Sequence, residues 1–190
     1  MTDELPQVLR VEHFIEDCRT LDPTQFRAQH GNAFLVHYGA IDKLRRPEQP
    51  QPTQVFKDLT PFLTGSALRT LRSDYLVYPI LSTGRSPYPR MITVGRTRNN
   101  DIVLPDESVS KFHAFFREPD EAAATTEPPA MLLQDAGSRN GTMFNGAIVP
   151  TSRHASPVVV SLGGQVRFGL VELTFLDSVG LRELVVHVTR

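Results

Sequence analysis

The chain has 190 residues, of which 40% are hydrophobic and 22% charged, a composition that excludes wholesale disorder, a collagen-like structure and a coiled coil. Its 20 basic and 21 acidic side chains give a formal net charge of -1, so overall charge favours neither nucleic acid nor membrane as a partner and any anion site must be local. We find no secretory signal, no apolar run of ~18 residues and a single cysteine, which predicts a cytoplasmic protein without an internal disulfide.

The sequence of residues 1–72 predicts a partly helical N-terminal extension. Val8, Val11, Ile15 and Cys18 recur at spacings of three and four, which predicts a helix from about Pro6 to Thr20 with Cys18 as a core thiol on its apolar face.

Asp22-Pro23 has the chemistry of a helix N-cap and first turn, and Gly31 is a candidate end for this second helix. The following run, 33–38, is β-branched and aromatic and favours a strand.

A proline-rich connector, 47–52, follows, and residues 54–72 read as an amphipathic helical stretch interrupted at Pro61 and Gly65. The extension carries apolar side chains such as Phe14, Phe34 and Phe62. Because these need cover, we expect residues 1–72 to pack against the rest of the chain.

Residues 73–177 change to short apolar runs separated by turn residues. Asn-Gly pairs join several of these runs, which favours an antiparallel β-sandwich. The sequence predicts an exposed loop at residues 119–129. In the C-terminal segment, 178–190, the run 180–188 is compatible with a strand or with a short helix. The candidate strands are Tyr75–Ile80, Met91–Val94, Ile102–Leu104, His113–Arg117, Met131–Gln134, Thr142–Phe144, Val158–Leu162, Val166–Gly169 and Glu172–Leu176.

Three predicted loops, 95–101, 108–113 and 137–142, place guanidinium, ammonium, hydroxyl and carboxamide donors next to strand ends. Residues 73–177 hold 9 basic and 11 acidic side chains, yet Arg96, Arg98, Lys111 and Arg139 all fall in these loops. Donors converging from several loops can hold an oxyanion in water. The sequence therefore predicts a mildly acidic sandwich with a basic apex.

Over roughly residues 75–177 the chain resembles the forkhead-associated (FHA) family of phosphothreonine-peptide-binding β-sandwiches. The resemblance rests on ordered motifs: Gly95-Arg96, the run 100–104, the run 109–114, Leu133 with Asp135, the run 138–142, and Asn145-Gly146. The chain departs from the family pattern at 162–165, where Leu-Gly-Gly-Gln replaces the usual Gly-Asp before a strand.

The resemblance implies that Arg96 and Ser110 hold the phosphate and that Asn140 holds the peptide backbone. It places Lys111 and Arg139 at positions of additional phosphate or peptide contacts. We expect structural roles near the site for Gly95, His113, Gly141, Thr142, Asn145 and Gly146.

Because a serine lies three residues before His113, a catalytic role for this histidine is one interpretation. Within this pattern we instead expect His113 to order the loops through hydrogen bonds. No catalytic residue, cofactor or metal ligand set is predicted, since the six histidines show no paired ligand spacing. Asn140-Gly141-Thr142 also matches a glycosylation sequon, which we regard as accidental in a chain without a signal peptide.

Three functions are compatible with the sequence. The first is a non-catalytic reader of phosphothreonine peptides that recruits phosphorylated partners in Ser/Thr-kinase signalling. The second is a structural or assembly subunit that binds an unphosphorylated partner, and the third, an enzyme within residues 1–72, lacks a catalytic constellation. Thr125 or Thr126, if phosphorylated, is an additional candidate ligand for the basic apex of the same or a neighbouring molecule.

Overall fold

The computed structural model describes residues 9–38, 75–119, 131–151 and 156–188. The predicted connector 47–52, the stretch 54–72, and Thr125 and Thr126 of the predicted loop lie outside these residues. Strands and helices are numbered in chain order below.

The N-terminal part begins with strand β1, Leu9–Arg10, followed by a 3₁₀ turn, Val11–Phe14, and helix α1, Ile15–Thr20. The predicted helix from Pro6 is therefore wrong over residues 9–10, and over residues 11–14 it is a 3₁₀ helix. Leu9 and Arg10 instead pair antiparallel with Val77 and Leu76, so the tertiary pairing overrides the helical spacing.

Helix α2, Pro23–His30, forms as predicted. The Asp22 carboxylate accepts from the backbone N–H groups of Thr24 and Gln25, and the Gln25 side chain accepts from the Asp22 N–H, which completes a capping box. Gly31 ends the helix at a φ of 89°, a conformation that favours glycine.

Two sheets form a β-sandwich, as predicted from the short strands. The larger sheet has the order β1-β3-β2-β12-β11-β8-β9, and the smaller has β10-β7-β6-β4-β5. Among the numbered strands of the described residues, β4 and β5 run parallel and the other pairs are antiparallel. The remaining strands are β2 Ala33–His37, β3 Leu76–Pro79, β4 Ile92–Gly95, β5 Ile102–Val103, β6 Ala114–Arg117, β7 Met131–Asp135, β8 Thr142–Phe144, β9 Ala147–Ile148, β10 Val158–Val160, β11 Gln165–Phe168 and β12 Val171–Asp177.

The unusual sequence at 162–165 connects β10 of the smaller sheet to β11 of the larger sheet. Gly163 adopts a φ of 75°, and the Gly164 N–H donates to the Ser161 carbonyl over 2.9 Å. Two glycines thus supply the tight connection without the family's usual Gly-Asp pair.

Strand β2 is an internal strand of the larger sheet. It pairs with β12 on one side and with β3 on the other. The structure differs here from the predicted division into residues 1–72 and 73–177. The predicted boundary falls between β2 and β3, which pair with each other in one sheet. A short strand buried on both faces shows no alternation of polar and apolar residues, and its membership in the sheet is hidden from the sequence.

The two faces of β2 serve two hydrophobic cores. Ala33 and Leu35 belong to the inner core between the sheets. Phe34 and Val36 belong to an outer core beneath the N-terminal helices, where Cys18 is also buried. Residues 9–38 therefore supply both a strand of the sandwich and a covering layer.

The C-terminal run forms helix α3, Ser178–Val188, which settles the choice between strand and helix. The Asp177 carboxylate accepts from the Gly180 N–H over 2.7 Å, a contact typical of a helix N-terminus. The helix buries Leu181, Leu184 and Val185 in the outer core.

Candidate functional site

The three predicted loops meet at one end of the sandwich. They follow β4 (loop A, 96–101), β5 (loop B, 104–113) and β7 (loop C, 136–141). The Arg96 N–H donates to the Ser110 carbonyl over 2.9 Å, and the Arg139 N–H donates to Ser110 Oγ over 3.0 Å. Ser110 therefore connects all three loops. We define the basic apex as Arg96, Ser110, Lys111, Arg139 and Asn140.

The backbone of loop B passes directly over the end of β4. A Cβ at Gly95 would lie 2.3 Å from the carbonyl oxygen of Lys111, well inside van der Waals contact. Glycine is needed here because of this close approach, which brings Lys111 beside Arg96.

His113 connects loop B to loop C. Its Nδ1 accepts from the Ser110 N–H over 2.9 Å, and its Nε2 lies 3.1 Å from the Gly141 carbonyl. A backbone N–H can only donate, so Nδ1 carries no proton and Nε2–H is the donor. Burial lowers the pKa of His113, against the opposing effects of the Gly141 carbonyl and Asp135, which agrees with a neutral ring.

Loop A is held by two residues that the sequence did not assign to the site. Asn100 is buried, and its Nδ2 donates to the carbonyls of Thr97 and Lys111. The Thr97 hydroxyl donates to the same Lys111 carbonyl over 2.9 Å. The signal in the sequence that could have assigned Asn100 to the site was the motif run 100–104. A buried asparagine needs several hydrogen-bond partners, so it is suited to holding a loop.

Loop C depends on the buried carboxylate of Asp135. It accepts from the Gly137 and Ser138 N–H groups and from the hydroxyls of Ser138 and Thr142, over 2.6 to 2.9 Å. Burial alone would raise the pKa of Asp135, but these hydrogen bonds outweigh it and lower the pKa. Asp135 thereby fixes the loop that carries Arg139 and Asn140.

Asn140 lies next to loop B and to the turn between β11 and β12. Its Nδ2 donates to the Ser108 carbonyl over 2.7 Å. Its Oδ1 accepts no hydrogen bond from the residues that the structure describes, so it is available to an N–H of a ligand. The neighbouring Gly141 carbonyl accepts from Gly169 N–H over 3.1 Å.

The cationic side chains of the apex point into solvent. Arg96, Lys111 and Arg139 are exposed, and within the described part of the chain no ion pair or side-chain hydrogen bond engages their charged groups. Ser110 Oγ accepts from Arg139 N–H, which leaves its own proton free to donate. Forked guanidinium, ammonium and hydroxyl donors in this arrangement can bind an oxyanion.

Two of the predicted residues lie elsewhere. Asn145 and Gly146 form the turn between β8 and β9, at the opposite end of β8 from Gly141. Asn145 adopts a φ of 48°, and its Oδ1 accepts from the Gln165 N–H over 2.8 Å. They are turn formers, as expected, but they are not near the apex because β8 runs away from it.

Cys18 is buried, as predicted. Burial raises the pKa of its thiol, and nearby Asp17 adds to this effect against the opposing charge of Arg182. The described residues contain no group of three or more His, Cys, Asp or Glu side chains that could hold a metal ion. Among the same residues, no helix is both long and apolar enough to cross a membrane.

Comparison with known proteins gives a match to the FHA domain family over residues 92–169. The chain is 30% identical over 116 residues to the ABC transporter ATP-binding/permease protein Rv1747 of Mycobacterium tuberculosis, covering 61% of this chain and 11% of that protein. It is 33% identical over 86 residues to the mouse (Mus musculus) angiogenic factor with G patch and FHA domains 1, covering 44% and 11%. The chain thus spans about a tenth of the length of these curated relatives.

Among solved structures, the fold is similar to the yeast Dun1 FHA domain in complex with a doubly phosphorylated peptide derived from Rad53. The TM-score is 0.38 at 25% identity, covering 47% of this chain and 61% of that chain.

Proposed function

Because residues 92–169 match the FHA domain family, we propose that the protein is a non-catalytic phosphothreonine-peptide-binding module. In this proposal it acts in the cytoplasm and recruits phosphorylated partner proteins in Ser/Thr-kinase signalling. One observation carries the proposal: Ser110 joins loops A, B and C, which carry the exposed cations Arg96, Lys111 and Arg139.

The chemistry of the apex suits a phosphate monoester. A phosphothreonine brings about -1.5 to -2 charges and three acceptor oxygens. Arg96 can offer two parallel N–H donors, Lys111 a point charge, and Ser110 one O–H. In this proposal Asn140 Oδ1 accepts a backbone N–H of the bound peptide and so holds an extended segment.

The same geometry supports a binding module over an enzyme. His113 contacts the apex through Ser110, and both of its ring nitrogens are engaged, one with Ser110 and one with Gly141. A ring whose acceptor nitrogen already receives a backbone N–H cannot serve as a general base.

The test is a titration of a degenerate phosphothreonine peptide library, its dephosphorylated counterpart and its phosphoserine counterpart against the full chain. We expect binding that requires the phosphate. Equal affinity for phosphorylated and unphosphorylated peptides would overturn the proposal and favour the assembly-subunit reading.

A further inference from the structure

Beside Asn140 the apex continues into a surface that combines an exposed leucine with carboxylates. Leu170, in the turn between β11 and β12, is 77% exposed. Asp106 and Glu107 of loop B are exposed as well. We call Asp106, Glu107, Ser108 and Leu170 the flanking surface.

The Ser108 hydroxyl holds the two halves of this surface together. It accepts from the Leu170 N–H over 2.9 Å and donates to Asp106 Oδ1 over 2.6 Å. The Ser108 N–H donates to the same carboxylate oxygen over 2.8 Å. The carboxylate is therefore oriented, and its Oδ2 has no hydrogen-bond partner among the residues that the structure describes.

These contacts also keep the carboxylate charged. The hydroxyl of Ser108, followed by its backbone N–H, lowers the pKa of Asp106 against a small opposing effect of burial.

The position of Leu170 is fixed by close packing. A Cβ at Gly169 would lie 2.5 Å from the Ser108 carbonyl oxygen, and Gly169 adopts a φ of 62°. The turn therefore packs directly on loop B. A leucine on so tightly held a turn, with most of its surface in water, presents a defined apolar contact.

The flanking surface is continuous with the place where a peptide backbone would lie. Asn140 Nδ2 donates to the carbonyl of Ser108, while Arg139 N–H binds Ser110 on the phosphate side. An extended chain that has its phosphate at Ser110 and its backbone at Asn140 therefore passes next to Ser108 and Leu170.

We propose that the flanking surface selects a lysine or arginine at a position of the phosphorylated partner next to the segment held by Asn140. This inference rests on the proposed function. Lysine and arginine have an aliphatic stem that can cover Leu170 and a cationic head that can reach the free oxygen of Asp106. Aspartate or glutamate at that position would be repelled by Asp106 and Glu107.

The preference must be specific to one position, because the cations of the apex repel basic side chains elsewhere along the peptide. The test is a fluorescence polarisation series in a host peptide with one phosphothreonine among alanines. Each flanking position in turn carries lysine, norleucine, glutamate or alanine. At one position we expect lysine to bind about three- to tenfold more tightly than glutamate, with norleucine between lysine and alanine.

Three variants test which residues of the flanking surface cause the preference for lysine. Asp106→Asn should abolish the advantage of lysine over norleucine, since asparagine keeps an acceptor for Ser108 but loses the charge. Leu170→Ser should abolish the advantage of norleucine over alanine. Glu183→Gln, an exposed acidic residue on α3, is the control and should leave both advantages as in the wild type.

Failure of this inference is distinguishable from failure of the proposed function. Peptides that bind only when phosphorylated, but show no lysine preference at any position, would overturn the inference alone. A lysine preference that survives Asp106→Asn, or norleucine equal to lysine, would also overturn it. If none of the phosphothreonine peptides binds, both fail.

Discussion

The backbone N–H of Ser110 donates to Nδ1 of His113 over 2.9 Å, so the orientation of the proposed phosphate-binding serine depends on the protonation state of a buried imidazole. The other ring nitrogen donates to Gly141, next to Asn140. A proton added to Nδ1 would remove the acceptor from Ser110 and place a charge in a site without exposure to solvent.

Stability should therefore depend on the titration of His113. Burial lowers its pKa in the folded protein, while the unfolded chain has the ordinary value of about 6.5. The unfolded state takes up the proton first, so this contribution to the free energy of unfolding is complete above about pH 6.5 and declines as the pH falls towards the lowered folded value.

We expect urea unfolding to show lower stability at pH 5.5 than at pH 7.5. His113→Gln should be less stable than wild type at pH 7.5 and should lose this part of the pH dependence. A variant with the full wild-type slope would contradict the assignment.

Arg96→Ala should weaken binding to a phosphothreonine peptide by about 30- to 1,000-fold, because hydrogen bonds to charged groups contribute about 1.5 to 3 kcal/mol each. Stability should change by less than about 0.5 kcal/mol, since the side chain is exposed. Arg96→Lys should recover part of the loss by keeping the charge without the fork. Isothermal titration with Arg19→Ala, exposed on α1, as the control measures the effect. Equal affinities for wild type and Arg96→Ala, both folded by circular dichroism, would refute the phosphate role.

Gly95→Ala should reduce both stability and binding, because its methyl group would lie 2.3 Å from the Lys111 carbonyl and must displace loop B. Overpacking of this kind costs about 1 to 3 kcal/mol. Gly84→Ala is the matched control: Gly84 has a φ of 71°, but no atom of the described residues lies within 4 Å of the added Cβ, so the backbone cost of about 1 to 2 kcal/mol is what remains. Urea unfolding and peptide titration on both variants separate the two effects. Full peptide affinity in Gly95→Ala would show that loop B does not need its present position.

Asp135→Ala should destabilise the protein by about 2 to 4 kcal/mol, since it leaves the buried Thr142 hydroxyl and the half-buried donors of loop C without their acceptor. Ser138→Ala removes one of these hydrogen bonds and should cost about 0.5 to 1.5 kcal/mol. The folded pKa of Asp135 is lowered, so its contribution is complete above the unfolded pKa of about 3.9 and is lost as the pH falls through the folded value. Chemical unfolding between pH 7 and pH 3 should show the difference between wild type and Asp135→Ala shrinking only at the acidic end. A difference that is constant across this range would exclude the carboxylate as its source.

Phe34→Ala should destabilise the whole sandwich and not only its N-terminal layer. Phe34 is fully buried on the outer face of β2, with the Phe14 ring at 6.1 Å in an edge arrangement, and such truncations cost about 3 to 5 kcal/mol. We expect a single unfolding transition at lower urea concentration by both fluorescence and circular dichroism. Val179→Ala, exposed on α3, should change little. A two-step transition in which residues 9–38 unfold first would contradict the structural role of β2.

The sandwich and the apex could be predicted from the sequence because both rest on local signals. Short apolar runs and Asn-Gly turns locate most strands, and ordered motifs locate Arg96, Ser110 and Asn140 in three loops. Strand β9 escaped prediction because Ala147 and Ile148 are both exposed, which leaves no apolar pattern to find.

The errors concern contacts between residues far apart in the chain. The pairing of Leu9 with Val77 turns a helical pattern into a strand. The bond from Leu170 N–H to Ser108 Oγ is also hidden from the sequence, because it joins a turn of the larger sheet to a loop that follows β5 of the smaller sheet. Periodicity reports the faces of an element, but it carries no information on which distant element covers them.

The place of β2 in the larger sheet has a consequence for the order of folding. Val36 pairs with Thr174 on one side and with Val77 on the other, so β2 lies between strands that emerge from the ribosome long after it. Until β12 and α3 have been synthesised, one edge of β2 lacks its partner, and the outer core lacks Leu176, Leu181, Leu184, Val185 and Val188. Closing such distant pairs is slow, and the nascent chain would expose Phe34 and Leu35 for most of its synthesis. We therefore expect this protein to depend on chaperones during translation more than a sandwich whose strands pair in chain order.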